Sequence, residues 1–321
     1  MAKTRAFGSD ARFIGVKETT AGTPPDGSGG STYRALRLRR LTLGERQPLQ
    51  RDPLLGLGRD ALDPYDGPRD VQGEADVPIL DQEIGWWLTR LFGAPVTTGP
   101  SGSDYTHVWT SGGDLATFAF EAGHPKLVTP EYFMYDYVKA GGASGNLDPN
   151  NPASMVIPLL ARKETPAGAS EDAAPVSYTN ARFSNARSTV KVGGNAVDIT
   201  GATFSLSNNL EQLRVIRADQ QFASVDEGEF TASGSITTAT PGPAAIEAAV
   251  AARTPIALVY EWTKAAGAHK LSLSFPRVFL PREPREIPGP GGLFKTYNWE
   301  ASAEGAPGLT VTLINTVSAY V

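Results

Sequence analysis

Leucines at 36, 38, 41 and 43 alternate with polar neighbours, but the alternation slips by one place between 38 and 41. Period-two alternation predicts a half-buried strand, and a one-place slip predicts a bulge that turns the later side chains to the other face. Moving 161 residues along the chain lands on Val197, Ile199, Ala202 and Phe204, with the same slip in the same place. The offset continues into the next strand, where Val71, Gly73, Ala75 and Val77 share a face and Ala232, Gly234 and Ile236 follow suit. A helical stretch succeeds each: 78–93, with Ile84, Trp87, Leu88 and Leu91 at helical spacing, and alanine-rich 241–253, with Pro243 near its first turn. After the helices, 106–123 pairs with 257–275 and 132–142 with 293–303, placing Phe133 and Phe294 again 161 apart. Last, 155–161 pairs with 309–315. One plan of strands, helix and strands is expected twice over.

The fold class that follows is mainly β: two tandem β-sandwich or barrel-like domains, each with one flanking α-helix. The expected divisions are an N-terminal arm at 1–31, a first domain at 32–162, a linker at 163–180 and a second domain at 181–321. The linker is rich in Ala, Pro, Ser and acid. Within the first domain a long loop, 45–70, holds four prolines together with Leu54, Leu55 and Leu57. A loop of that length is usually functional, and leucines exposed on it need a partner. Asn208 and Asn209 end the corresponding strand of the second half, where the polar excursion reads as the shorter one.

Composition narrows the function more by exclusion than by direct sign. The 321 residues carry a net charge of −5, which gives no basic footprint for gripping nucleic acid. Cysteine is absent, which removes disulfides, thiolate metal sites and thiol nucleophiles. No apolar run reaches the length of a spanning helix or a signal-peptide core, so no membrane anchor and synthesis in the cytoplasm are expected. His107 and His124 flank one predicted hairpin without a third ligand nearby, so neither metal nor cofactor is expected. The glycine-rich stretches 139–145 and 289–295 lack the Lys-Ser/Thr ending of a phosphate loop and read as turns. No nucleophile is coupled to a base, so no catalytic residues are assigned and an enzyme is not expected. The strand face opposite Val71 and Val77 carries Gln72, Glu74 and Asp76, and the face opposite Phe230 and Ile236 carries Glu229 and hydroxyls. That face is either a solvated sheet surface or an acidic wall facing a channel.

In order and spacing, several stretches resemble the tail tube (major tail) proteins of long-tailed, non-contractile bacteriophages. They are "GVKETTAGT", "DVQGEADVPILDQEIGWWLTRLFG", "YFMYDYVKAGG", "ATFSLSNNLEQ", "GEFTASGSIT" and "LFKTYNWEASA", and they span nearly the whole chain. The resemblance implies two tail-tube-like domains in a structural subunit of the virion tail, made in the host cytoplasm. Such subunits close into rings that stack around a lumen through which DNA passes, without specific binding, during ejection. With the internal repeat, three chains per ring would imitate six, in contact with other tail proteins. Glu74, Asp76 and Glu229 are then the lumen-facing acids. Phe13 and Ile14 of the arm and Leu54, Leu55 and Leu57 of the loop are the stacking candidates between rings. Two other readings remain: a tail-completion or baseplate ring protein, and a two-domain carbohydrate-binding adhesion module, which would need Tyr297 or Trp299 exposed.

Overall fold

The computed structural model describes residues 3–27, 33–55, 59–264, 269–284, 287 and 289–320. Among them the chain is mainly β, with α-helices α1 (Ile84–Phe92) and α2 (Ala244–Ala252), and its sheets stay open and do not close into a barrel.

Each half folds as two sheets over an apolar core. In the first half, one sheet runs in the order Arg34–Leu36, Arg12–Lys17, Phe118–His124, Glu131–Ala140, Lys163–Ala167. The other runs from Arg40–Leu41 and Gly44–Arg46 through Asp70–Pro78 to Ser154–Ala161. In the second half, Asn195–Val197, Ser188–Val192, Ile256–Thr263, Lys270–Phe279 and Thr310–Asn315 repeat the first order. Gly201–Ser207, Thr231–Ala239 and Phe294–Ala301 repeat the other. The long fourth strand of each first sheet bends across to the second. Lys139 and Ala140 pair with Leu160 and Leu159, and Val278 and Phe279 pair with Ala301 and Glu300. Even a bulge recurs, between Phe118 and Phe120 and between Ile256 and Leu258.

The offset between equivalent positions is not constant, which corrects the sequence matching beyond the helices. Asp70–Pro78 and Thr231–Ala239 are 161 residues apart at both ends, whereas Val138 and Val278, which close the two bulges, are 140 apart. The difference arises from a hairpin present only in the first half, Val96–Ser101 with Asp104–Thr110. Its second strand pairs with the outer edge of Thr310–Asn315 in the other half. Glu131–Ala140 is therefore the counterpart of Lys270–Phe279, and Phe133 does not correspond to Phe294. Alternating strands share one period, so a strand matches its neighbour's pattern nearly as well as its true equivalent's.

Segments expected to lie outside the domains belong to the sheets. Arg12–Lys17 of the N-terminal arm is a central strand, and Lys163–Ala167 and Val176–Ser177 of the expected linker pair with Glu131–Ala140 and Arg34–Leu36. The two excursions are equal in length, contrary to the sequence reading. Each carries a small hairpin, Leu49–Gln50 with Tyr65–Asp66 and Glu211–Leu213 with Ser224–Asp226, and the Gln50–Tyr65 pair corresponds to Glu211–Asp226. The slip sits in the same place in both halves, with Arg39 and Arg40 both opposite Asp76 and Thr200 and Gly201 both opposite Thr237, and equivalent glycines follow on the partner strand. A Cβ on Gly73 would lie 2.5 Å from the Leu43 amide nitrogen, and one on Gly234 would overlap the Thr203 carbonyl and sit 2.7 Å from the Trp299 ring. Both glycines let a neighbouring strand cross at close range.

The helices fill unequal roles. Every residue of α1 is buried, and Trp86 and Trp87 meet edge-to-face with ring centroids 4.9 Å apart. Only Ile246, Ala249 and Val250 of α2 are buried. Both helices are shorter than the helical patterns 78–93 and 241–253 suggest. Residues 78–83 end a strand and turn instead, with Asp81 buried there and accepting bonds from the Ala181 amide, Lys264 and His269.

Candidate assembly interface

The second sheets of the two halves join edge to edge through a strand that has no counterpart among the described residues of the second half. Gly142–Leu147 leaves Ser154–Ala161 on one side and pairs on the other with Gly201–Ser207, from Gly142 opposite Ser207 to Leu147 opposite Ala202. Ala143, Leu147, Phe204 and Leu206 are buried at this seam, and a Cβ on Gly145 would strike the Phe204 ring at 2.6 Å. One continuous sheet thus runs from the 40–46 edge to Phe294–Ala301. Asn208, at the end of the joining strand, is buried. Its Nδ2 donates to the Leu91 carbonyl at 3.1 Å and the Ala140 carbonyl at 3.2 Å, and Leu91 lies in the last turn of α1, where carbonyls lack helical partners. Asn209 turns the chain with φ of 43°. The polar pair marks the place where the second half grips the first.

Beyond Asn209 the second excursion lies down on the first half. Phe222 and Val225 are buried against Tyr137, with the Phe222 and Tyr137 rings 5.9 Å apart. The Arg162 guanidinium lies over the Tyr137 ring at 3.9 Å and donates to the Ala223 carbonyl at 2.9 Å. Lys139, nearly buried, donates to the Val225 carbonyl at 2.8 Å and to Glu227 at 2.7 Å. The Leu115 amide also donates to Glu227, whose carboxyl is held below its usual range by Lys139 and this amide despite an opposing contribution from burial. The first excursion has no such bed: every described residue from 48 to 66 is exposed.

One face of the continuous sheet is polar on both sides of Ser154–Ala161, which presents Val156, Pro158 and Leu160 there, with Leu160 packed under the second excursion. That face carries Gln72, Glu74, Ser144, Asn146, Thr203 and Ser205, then Ser233, Ser235 and Asn298. The Thr203 and Ser235 hydroxyls lie 2.8 Å apart, as do those of Thr237 and Thr296 at 2.9 Å. Glu74 accepts from Arg40 at 3.1 Å, and Arg39 approaches Asp76 at 3.9 Å. Alternation within one strand could not reveal these arginines, because they come from the neighbouring strand. Apart from the strip of Val156, Pro158 and Leu160, the surface is a hydroxyl-rich face with paired charges. Glu229 lies exposed just ahead of Thr231–Ala239 and so outside the strand, with its backbone carbonyl bonded by Asn209.

A family description, phage tail tube protein, matches residues 8–301. The chain belongs to the phage tail tube protein family. No curated protein matches it.

A tail tube protein is a structural part of the phage tail, and the remaining candidate residues can be placed with that in view. Phe13 packs on Phe120 on the core face with ring centroids 6.2 Å apart, and Ile14, on the opposite face of the same strand, is fully buried with Tyr33, Ala119 and Met134, so both are engaged within this subunit. Leu54 and Leu55 are exposed, Leu55 at 98%, and Leu57 lies outside the described residues. Sequence reasoning missed their counterparts: Val215 and Ile216, 161 residues on, are also exposed, Ile216 at 108%. Tyr297 and Trp299 are buried, and the Trp299 indole donates to the Tyr260 hydroxyl at 3.0 Å, so neither is offered to a sugar. His269 touches Asp81 at 2.7 Å and Asp104 at 3.6 Å, binding both halves and the extra hairpin together. Among the described residues no metal-holding cluster is found, and no helix is long and apolar enough to cross a membrane.

Proposed function

We propose that this tail tube protein assembles as rings of three chains, each ring built from six equivalent units, and that the rings stack into a tube whose lumen carries DNA during ejection. The reading rests on one observation. A pairing scheme used twice in the chain is joined to itself edge to edge, while the matching edges at the two ends, the 40–46 strands and Phe294–Ala301, have no such partner among the described residues. The 40–46 edge is the counterpart of Gly201–Ser207, and Phe294–Ala301 is the counterpart of Ser154–Ala161. An open sheet edge is an aggregation hazard unless covered, and repeating one head-to-tail contact until it closes gives a ring. We infer that a duplication of an ancestral single unit produced the chain.

The hydroxyl-rich face, with Glu74 and Asp76 on it and Glu229 at its end, then lines the lumen. Duplex DNA carries one charge per about 1.7 Å, and cations free to bind phosphate would add a salt-dependent hold. Arginines already paired with carboxylates, among Ser, Thr and Asn side chains, offer little such hold. The exposed pairs Leu54–Leu55 and Val215–Ile216 give each ring six equivalent apolar tips for stacking. The role is structural and not catalytic, and the protein acts in the virion after synthesis in the host cytoplasm. Raising the concentration of purified protein tests the polymer against a tail-completion or baseplate ring. Sedimentation should show species growing beyond a single ring, and a species that stops at one ring at every concentration favours the other component.

A further inference from the structure

The docked second excursion has an exposed twin, and the second half has an empty counterpart of the bed on which the docked one lies. In the first half that bed includes Leu115, Lys139, Gly141 and Leu160, all met by the 210–227 hairpin. Leu115 precedes the bulged strand residue Phe118 by three positions, as Arg253 precedes Ile256. By the shared bulge and the shared strand crossing, Lys139, Gly141 and Leu160 correspond to Phe279, Pro281 and Glu300. Those four second-half residues, with Thr254 and Leu280, line an open cleft of about 250 Å³. Phe279 is 38% exposed at its mouth, and Arg253 is exposed with no ion pair among the described residues.

Resting on the ring reading, we propose that this cleft receives the 48–66 hairpin of the adjacent chain. Residue by residue, Leu49 takes the place of Leu210, and Asp66 that of Glu227. The hairpin offers the exposed apolar groups Leu49, Leu62 and Tyr65 to Phe279, Leu280 and Pro281 and an Asp66 carboxylate to Arg253, while Glu300 of the cleft stands in the place of Leu160. In the contact within one chain the cation facing the carboxylate is Lys139, on the strand. Between chains Phe279 fills that strand position, and the cation comes from Arg253 at the Leu115 position, so Asp66 meets Arg253. The partner is a second copy of this chain, because the length and position of the hairpin and of the cleft repeat a contact the chain makes with itself, although Ala61 and Arg277 stand where that contact has Phe222 and Tyr137. The loop base is then a lateral clamp within the ring, and its Leu54–Leu55 tip remains free to stack.

The absence of cysteine gives a clean cross-linking test. Asp66→Cys and Arg253→Cys, both exposed, are combined in one chain and oxidised after assembly, with Leu115→Cys plus Glu227→Cys as the control for the contact within a chain. The expected result is covalent trimers in denaturing gels for the first pair and cross-linked monomers for the control. Subunits carrying only one of the two exposed cysteines should give heterodimers when mixed and no larger product. Rings of three chains that form normally but yield no Asp66–Arg253 product would overturn the clamp and leave the ring reading standing, whereas absence of three-chain rings would overturn both. Independently, Asp66→Arg should raise the concentration needed for assembly about tenfold, and adding Arg253→Asp should restore it. Failure of the second change to restore assembly also counts against the clamp.

Discussion

Replacing Phe222 by alanine tests how firmly the second excursion is held on the first half. Phe222 is 1% exposed and packs on Tyr137, Val225 and the Arg162 guanidinium, 5.9 Å from the Phe222 ring. Truncating a buried phenylalanine costs about 3–5 kcal/mol in transfer and cavity terms. The Glu211–Leu213 and Ser224–Asp226 hairpin has only two strands, too few to be stable in isolation, so docking holds it. The loss should therefore appear as local opening and not as global unfolding. At about 1.4 kcal/mol per tenfold, amide exchange over 211–226 should quicken by roughly 100- to 4,000-fold. Protection in Ile256–Thr263 and Lys270–Phe279, far from the hairpin, should stay unchanged. Hydrogen–deuterium exchange read by mass spectrometry on peptides from both regions measures this directly. Unchanged exchange at 211–226 would refute the packing argument. An equal rise throughout the chain would show that the excursion is part of the core and not a docked arm.

Three further outcomes follow from other contacts. Gly73→Ala and Gly234→Ala should each lower stability by about 1–3 kcal/mol in chemical denaturation, since backbone or a buried indole must move, while Gly168→Ala, with open space around it, should change little; equal midpoints for all three would disprove the close strand crossings. Burial pushes the Glu83 carboxyl up to about 7 despite bonds from the Arg37 amide and Asn180, so the folded chain holds a proton that the unfolded chain has released. Its contribution is complete below the unfolded value near 4.5 and is lost as pH rises through about 7, by up to about 3 kcal/mol; Glu83→Gln should therefore gain stability relative to the natural chain between pH 4.5 and 8, and a pH-independent gap would contradict this. Glu74→Lys with Asp76→Lys should leave tubes able to form but slow DNA ejection most at low salt, and an unchanged ejection rate would remove this face from the lumen.

The sequence pattern carried the first part of each unit well because no insertion separates the copies there. From Leu36 to Pro78 a single offset holds through the strand slip, the equal excursions and the paired glycines at 73 and 234. Past the helices the inserted 96–110 hairpin broke the offset, and period-two strands offered no landmark to recover it. The arm was misjudged because Arg12–Lys17 is short and its pairing with Phe118–His124 joins residues over a hundred positions apart. The hydroxyl-rich face was legible as polar, since alternation fixes which side chains share a surface. Its charge balance was not legible, since Arg40 reaches Glu74 from another strand. The interface residues Asn208, Phe222 and Lys139 read as a turn, a loop hydrophobe and a strand charge. Only the packing of one half against the other gives them a role.

The central claim is that six equivalent units in each ring come from three chains. Averaging end-on electron-microscope images of assembled tubes without imposed symmetry tests it most directly. The account predicts a six-lobed wall whose true symmetry is threefold, with the 96–110 hairpin adding density at every second junction because only the first half carries it. Six identical junctions, or a ring of six chains, would contradict it.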